Sequence, residues 1–277
     1  MVSYLPEASW LWQGESYSLA RCAHCGTAFS DPIPPTPVLD EFYSRFFDYR
    51  WYRDHYKAKL VDARMRVAEY EPWLQAGRIL DYGGGMGYLS QAFREAGKES
   101  LTFDPYAGTE PPSGRWDAVV SLHALEHAND PSAMIEKMKS FMRPGGKLLL
   151  AVPNFESQGY RQLGMRWVWA QPPVVHVFHF TYKGLAALLR RHGFSVSHIE
   201  YADRWDANIY ADIVGPAWHR WAEDMWGIQP FNRLGAYRRL AAQLNSTRRY
   251  WSLSRSYKLV RSPEDKAELQ IVASLEI

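Results

Sequence analysis

The sequence predicts an α/β protein organised around a doubly wound, mostly parallel sheet, and three observations carry that prediction. Short apolar runs ("RILD", "SLTFD", "DAVVSL", "KLLLAVP") alternate with amphipathic stretches of helical period between residues 78 and 200, the spacing of strand–helix units in a parallel sheet. Start and stop signals bracket those stretches. Asp130-Pro131 and Thr181 suit helix starts, and Gly97 and Gly193 suit helix ends. A glycine cluster at 83–85 and 87 follows the first run, behind Asp81, where such sheets leave their ligand crevice.

Taken in chain order, residues 1–60 read as irregular and aromatic, with "DPIPPTP" (31–37) as an extended proline hinge. Residues 38–74 contain no Gly and no Pro before Pro72, which predicts one or two helices leading into the core. The elements expected next are a strand at 78–81, a helix from Tyr88 to Gly97, and strands at 100–104 and 117–122. A helix over 130–146 ended by Gly145 and Gly146, a strand at 147–153 and a helix at 181–193 follow, then strands at 194–200 and 269–275. No repeat of 20–50 residues is visible.

Composition sets bounds. At 277 residues with 47% apolar and 22% charged side chains, the chain can bury a proper core. No apolar run reaches the roughly 18–20 residues of a membrane helix, and "MVSYLPEASW" lacks the basic start and apolar centre of a signal peptide. Two cysteines three positions apart exclude a disulfide framework. A cytoplasmic protein is expected. The 15% aromatic content, with 12 Trp, fits either stacked flat ligands or a Trp-heavy core.

The glycine cluster has the spacing D-x-G-x-G-x-G rather than the G-x-G-x-x-G of a dinucleotide site. A carboxylate beside the loop repels a pyrophosphate and favours an ammonium or sulfonium. "ILDYGGGMG" resembles the first motif of the class I S-adenosylmethionine-dependent methyltransferases. The likeness extends to "TFDPYA", "WDAVVSLHALEHANDP", "MRPGGKLLLAVPN" and "HVFHFTYKGLAALLRRHGF", in the order seen in small-molecule O-methyltransferases of the quinone-biosynthesis type. Together these cover about residues 60–203 and 267–277. The resemblance implies a Rossmann-like sheet with an antiparallel last strand and S-adenosylmethionine as cofactor. It assigns cofactor contact to Asp81, Gly83, Gly85, Gly87 and Asp104, the last gripping ribose hydroxyls, with Leu122 and His123 lining the adenine side.

Three places depart from that pattern. Eleven residues with three prolines separate Asp104 from Trp116, too few for a helix and a third strand, so the third strand is expected to be reduced. Cys22 and Cys25 in "RCAHCG" resemble one Cys pair of the zinc ribbon that related methyltransferases carry here, so the resemblance implies a degenerate ribbon. Structural zinc needs four protein ligands, so no metal site is expected. An insertion over 204–266 should form helices over the substrate side of a methyltransferase domain spanning 61–277, preceded by a cap segment over 1–60. Between Arg204 and Arg261 ten Lys/Arg face four Asp/Glu, which fits a solvated basic face or an anionic acceptor.

The expected activity is methyl transfer to a small molecule, with a hydroxyl of a sugar, nucleotide-linked or natural-product acceptor favoured. A catalytically silent partner subunit and a nucleic-acid methyltransferase are the rivals; nucleic acid and membrane are disfavoured as partners, and a homodimer is left open. Two histidines compete as general base, since imidazole titrates near neutral pH: His176 first, and His127, beside Glu126, second. Acceptor contacts are assigned to Tyr52, Trp167, Trp169 and His179. In an extended chain Trp167 and Trp169 face one side, and His179 faces away from His176.

Overall fold

The computed structural model describes residues 2–12, 14–45, 53, 56–167, 169–202 and 262–276. In order these form β1 (Val2–Trp12), β2 (Glu15–Cys22), β3 (Ala28–Asp31), α1 (Thr36–Arg45), α2 (Tyr56–Leu74) and β4 (Arg78–Tyr82). They continue with α3 (Tyr88–Glu95), β5 (Glu99–Phe103), β6 (Trp116–Leu122), α4 (Pro131–Ser140) and β7 (Met142–Pro153). The last elements are α5 (Gln158–Leu163), β8 (Phe178–His179), α6 (Tyr182–Arg191), β9 (Phe194–Ala202) and β10 (Glu268–Leu275).

Six strands make one sheet in the order β5-β4-β6-β7-β10-β9. β4 pairs in parallel with both β5 and β6, and β6 with β7. The strands are apolar over consecutive positions because both faces are covered: Leu148, Leu149, Leu150, Ala151 and Val152 are all fully buried. On one face, α2 contributes Leu60, Ala63, Val67, Tyr70 and Leu74, and α3 contributes Leu89, Ala92 and Phe93. These pack on Ile79, Ala118, Val120, Leu149 and Val272. The first strand, β4, has its successor β5 on one side and β6 on the other. The strand order therefore reverses at β4, and its carboxyl end opens a crevice there.

The described chain divides into two compact units. One comprises residues 1–153, 172–200 and 269–277, and the other 154–171 and 201–268. Residues 204–261 of the expected insertion lie outside the described residues. In the second unit, the buried Trp167 packs with Ala170 and Ala267, joined by Tyr160, Met165 and Trp169. There Asn154 Nδ2 donates to the carbonyls of Glu264 and Lys266, each at 2.8 Å.

Three sequence expectations are corrected. Residues 2–31 are not irregular: β1, β2 and β3 form an antiparallel sheet completed by β8, in the order β1-β2-β3-β8. The period-two signal lies in "SYSLARC", where Tyr17 and Leu19 are buried, but short Ser and Ala positions between them blur it. The helix expected to run to Gly146 ends at Ser140, because Pro144, Gly145 and Gly146 form a bend inside β7. A side-chain carbon at Gly146 would lie 2.9 Å from the Arg143 carbonyl and 3.2 Å from that of Asp117, so this glycine serves close backbone approach. Trp167 lies in a bend and Trp169 in a turn rather than in an extended strand, and both belong to one apolar cluster. Between Phe103 and Trp116 the backbone holds turns and coil, leaving β5 as the sheet edge.

Asp130 caps α4, accepting the Ala133 N–H at 2.9 Å. Asp130→Ala is expected to lower stability by about 1 kcal/mol, read as a shift in the urea midpoint at unchanged m-value.

Candidate functional site

The loop between β4 and α3 lies at the carboxyl end of β4, and its glycines have separate reasons to be glycine. Gly83, Gly85 and Gly87 hold φ of +74°, +53° and +76°, a region most residues avoid. On three sides the loop is packed from beneath. A side-chain carbon would meet Ala124 Cβ at 2.7 Å from Gly83, Asp81 Oδ2 at 2.1 Å from Gly84, and Thr102 Oγ1 at 2.9 Å from Gly87. At Gly85 it would meet, among the described residues, only Asp104 Oδ2, at 4.0 Å. The open face of the loop is therefore over Gly85, bare backbone that a ligand can approach.

One carboxylate borders that face and a second lies buried beneath the loop. Asp104, following β5, accepts the Gly85 N–H at 2.8 Å on Oδ2, and the Tyr106 and Ala107 N–H groups at 2.9 and 3.2 Å on Oδ1. A carboxylate has about four lone-pair sites, so most of this one's capacity already ties the loop to the sheet edge. Asp81 sits beneath Gly84, with 1% of its surface exposed. Thr102 Oγ1 donates to Ser90 Oγ at 2.6 Å, the Ser90 hydroxyl donates to Asp81 Oδ2 over 3.4 Å, and Thr102 Oγ1 lies at the same 3.4 Å from that oxygen. Burial raises its pKa from 3.8 to about 7, with the Asp104 charge adding to the rise. A buried carboxylate with such long hydrogen bonds is a place for a cation.

Opposite the loop, the 3-10 turn Leu125–His127 follows β6. His123 takes φ +50°, unusual for a residue other than glycine and a form of strain that concentrates at functional sites. It places Nδ1 3.4 Å from Glu126 Oε1. Glu126 is 1% exposed, and neither of its oxygens accepts a hydrogen bond among the described residues. His127 Nδ1 lies 2.7 Å from the Val175 carbonyl. A carbonyl only accepts, so Nδ1 carries the proton and Nε2 the lone pair. The His176 ring stands edge-on to His127 with centroids 4.7 Å apart.

His176 and His179 do not face away from each other. The chain turns at Pro172, whose carbonyl accepts the Val175 and His176 N–H groups, and the two rings come to a centroid distance of 5.9 Å. Both are buried. Leu122 packs against the sheet core. Trp167 and Trp169 belong to the core of the second unit, and Tyr52 lies outside the described residues. The reading of the sequence missed Tyr106. Its ring stacks on Tyr43 of α1 at 4.3 Å, and Tyr43 also meets the His127 ring edge-on at 6.0 Å. One aromatic side chain thus touches both the loop that Asp104 ties and the histidine cluster. The signal was the turn-forming "DPYAG", where Asp104 Oδ1 accepts N–H groups two and three residues on.

The N-terminal "CAHC" forms a tight knuckle: the Gly26 N–H donates to the Cys22 carbonyl at 2.8 Å, and the Cys22 N–H to that of Thr27 at 3.0 Å. Hydrogen bonds from the Cys25 and His24 backbone hold the Cys22 thiol below its ordinary pKa. Both thiols are free.

A glycine loop at a strand-order reversal, with one carboxylate beside it and one buried beneath it, defines a class I nucleoside-cofactor fold. A family profile described as a methyltransferase domain matches residues 52–199, and the chain belongs to that family. S-adenosylmethionine is the cofactor that the methyltransferase family and the motif resemblance imply, and the residues present fit it: Gly85 offers bare backbone, and Asp81 a buried carboxylate for a cationic group. Among curated relatives, the ubiquinone biosynthesis O-methyltransferase of Xanthomonas euvesicatoria is 28% identical over 109 residues, 29% of this chain and 45% of the relative. That of Xanthomonas axonopodis is 29% identical over 124 residues, 35% and 49%. The chain spans about half the length of the curated relatives it matches. Solved structures that resemble it include magnesium protoporphyrin IX methyltransferase from Synechocystis with bound S-adenosylhomocysteine (TM-score 0.44, 16% identity, 87% of this chain and 99% of that one). Another is an S-adenosylmethionine-dependent methyltransferase from Archaeoglobus fulgidus (0.46, 16%, 82% and 100%). No described helix is long and apolar enough to cross a membrane.

Gly85→Val places a branched side chain at φ +53° and over the open face. Loss of S-adenosylhomocysteine binding in calorimetry, with the circular dichroism spectrum retained, is the expected result. Asp81 gives a pH signature. Its folded pKa is raised, so its contribution to stability is complete below about pH 4 and is lost as pH rises through about 7. About three units correspond to roughly 4 kcal/mol. Asp81→Asn is therefore expected to raise the melting temperature of the ligand-free protein at pH 8 and to change it little at pH 4.

Proposed function

We propose that the chain transfers a methyl group from S-adenosylmethionine to a hydroxyl of a small molecule, and that the proton of that hydroxyl leaves at the cluster centred on His127. The observation that carries this reading is the 2.7 Å contact between His127 Nδ1 and the Val175 carbonyl. It fixes the tautomer, turns the ring, and leaves Nε2 as the basic atom. That favours His127 over His176 as the proton acceptor, because His176 is almost fully buried while His127 is partly accessible.

Bound S-adenosylmethionine supplies a methyl group on a sulfonium, already an activated leaving group. The protein's part is then to position and to take a proton. The Asp81 carboxylate favours the cationic end of the cofactor, the Gly85 backbone lets it approach, and Asp104 holds the loop in shape. Tyr43 walls the space between the loop and His127. The names of the curated relatives support oxygen as the methylated atom. An anionic acceptor remains an expectation from the basic residues at 204–261.

His127→Gln keeps the size of the ring and removes the basic nitrogen. Turnover is expected to fall by roughly 10²–10⁴-fold, with affinity for S-adenosylhomocysteine unchanged. His176→Gln is expected to cost less turnover and more stability. A His127→Gln enzyme with full turnover at neutral pH would overturn the assignment.

A further inference from the structure

We propose that Glu126, His127 and His176 hold one divalent cation of the borderline first-row type, such as zinc, cobalt(II) or iron(II), and that the acceptor binds to it through a hydroxyl oxygen. This departs from the sequence, whose two cysteines promise no metal site. It keeps the methyl transfer proposed above but gives His127 Nε2 the role of ligand in place of base, and it rests on that function for the acceptor only, since cation binding stands on the three side chains alone.

Each residue offers one donor atom, and the three donors lie within 4.8 Å of one another. With metal–ligand bonds of about 2.1 Å, donors on one ion sit roughly 3–3.5 Å apart. The side chains have to close by about 1 Å, within reach of small side-chain rotations. Two imidazoles and one carboxylate match first-row transition metals and zinc rather than magnesium or calcium, which take oxygen ligands. Three protein ligands also leave coordination positions open for a substrate.

Two independent features point to a ligand in this cluster. The Glu126 carboxylate is 1% exposed and its oxygens accept no hydrogen bond among the described residues. A buried carboxylate in that state is strongly disfavoured unless a positive charge meets it. His123 Nδ1 lies 3.4 Å from Oε1. The second feature is His127, whose Nδ1–H donates to the Val175 carbonyl. Metal-binding histidines characteristically donate their other ring N–H to a carbonyl or carboxylate, which orients the ring and raises the basicity of the ligating nitrogen. Here that arrangement aims the Nε2 lone pair without help from any ion.

The chemical consequence concerns the acceptor. A hydroxyl whose oxygen binds the cation loses its proton to solvent more readily, and the negative charge stays on oxygen beside the ion. His127 Nε2 then serves as ligand, and the cation takes over the task of lowering the hydroxyl's proton affinity. An acceptor with two adjacent hydroxyls, or a hydroxyl beside a carbonyl, can fill two open positions and is favoured over a lone alcohol.

The test titrates metal-stripped protein with Co²⁺ and with Zn²⁺, without S-adenosylmethionine, following the visible Co²⁺ absorption and calorimetric stoichiometry. One ion per chain is expected, with affinity lowered at least about tenfold in Glu126→Gln and in His176→Gln, and unchanged in the Cys22→Ser/Cys25→Ser double variant. S-adenosylhomocysteine binding reports that the variants are folded. Failure of both metals to bind at high micromolar concentration overturns the proposal, as does binding abolished only by the cysteine changes. Metal binding in a protein that fails to bind S-adenosylhomocysteine supports this site while removing the function proposed above.

Discussion

A carboxylate buried under a glycine turn is the constraint on which the rest of the site depends. Asp81 closes β4, the strand where the sheet order reverses, and Gly84 lies so close above it that no side chain fits. Its hydroxyl partners, Ser90 and Thr102, are supplied by α3 and β5. The strand, the helix and the neighbouring strand are thereby joined around one charge that burial holds near neutrality. Such a group costs stability in the ligand-free protein as pH rises through about 7. An asparagine there would stabilise the fold and remove the reason for the loop.

The second centre is positioned by different means. β6 and the turn after it supply His123, Glu126 and His127, and the segment leading into β8 supplies His176 and the Val175 carbonyl. β8 in turn pairs with β3 of the N-terminal sheet. Ser30 of β3 donates to the Pro173 carbonyl at 2.6 Å, fixing the turn that aims His176. The N-terminal sheet is therefore structurally tied to the histidine cluster: its strand pairing holds one wall of it. α1 adds Tyr43 against both His127 and Tyr106. Thr181, the cap of α6, donates to the Cys25 carbonyl at 2.6 Å, so the cysteine knuckle has a packing role whether or not it binds anything.

Much of this was legible in the residues because the signals were local. The parallel strands are continuous apolar runs, α4 and α6 begin at Asp130 and Thr181 as read, and the glycine loop follows its strand directly. The residues that close the carboxylates, by contrast, come together only in the fold. Tyr106 reaches Tyr43 across a separation that no periodicity encodes. The spacing of His176 and His179 predicts opposite faces only for an extended segment, whereas two hydrogen bonds to the Pro172 carbonyl turn it. The N-terminal strands were missed because their alternation runs through Ser and Ala, and a pairing partner 150 residues away completes the sheet. Trp167 illustrates the ambiguity of large aromatics: its ring is as buried as any core residue, and sequence alone cannot tell such a position from a pocket wall.

If Asp81 is the charge that S-adenosylmethionine neutralises, binding must be linked to its ionisation. Titration of the cofactor at pH 6 in buffers of different ionisation enthalpy measures that linkage directly. At this pH most of the Asp81 population is protonated, so capture of the cationic cofactor should release close to one proton per site, and affinity should rise between pH 5.5 and 7.5. Binding that releases no proton and is flat with pH would contradict the central role given to this carboxylate.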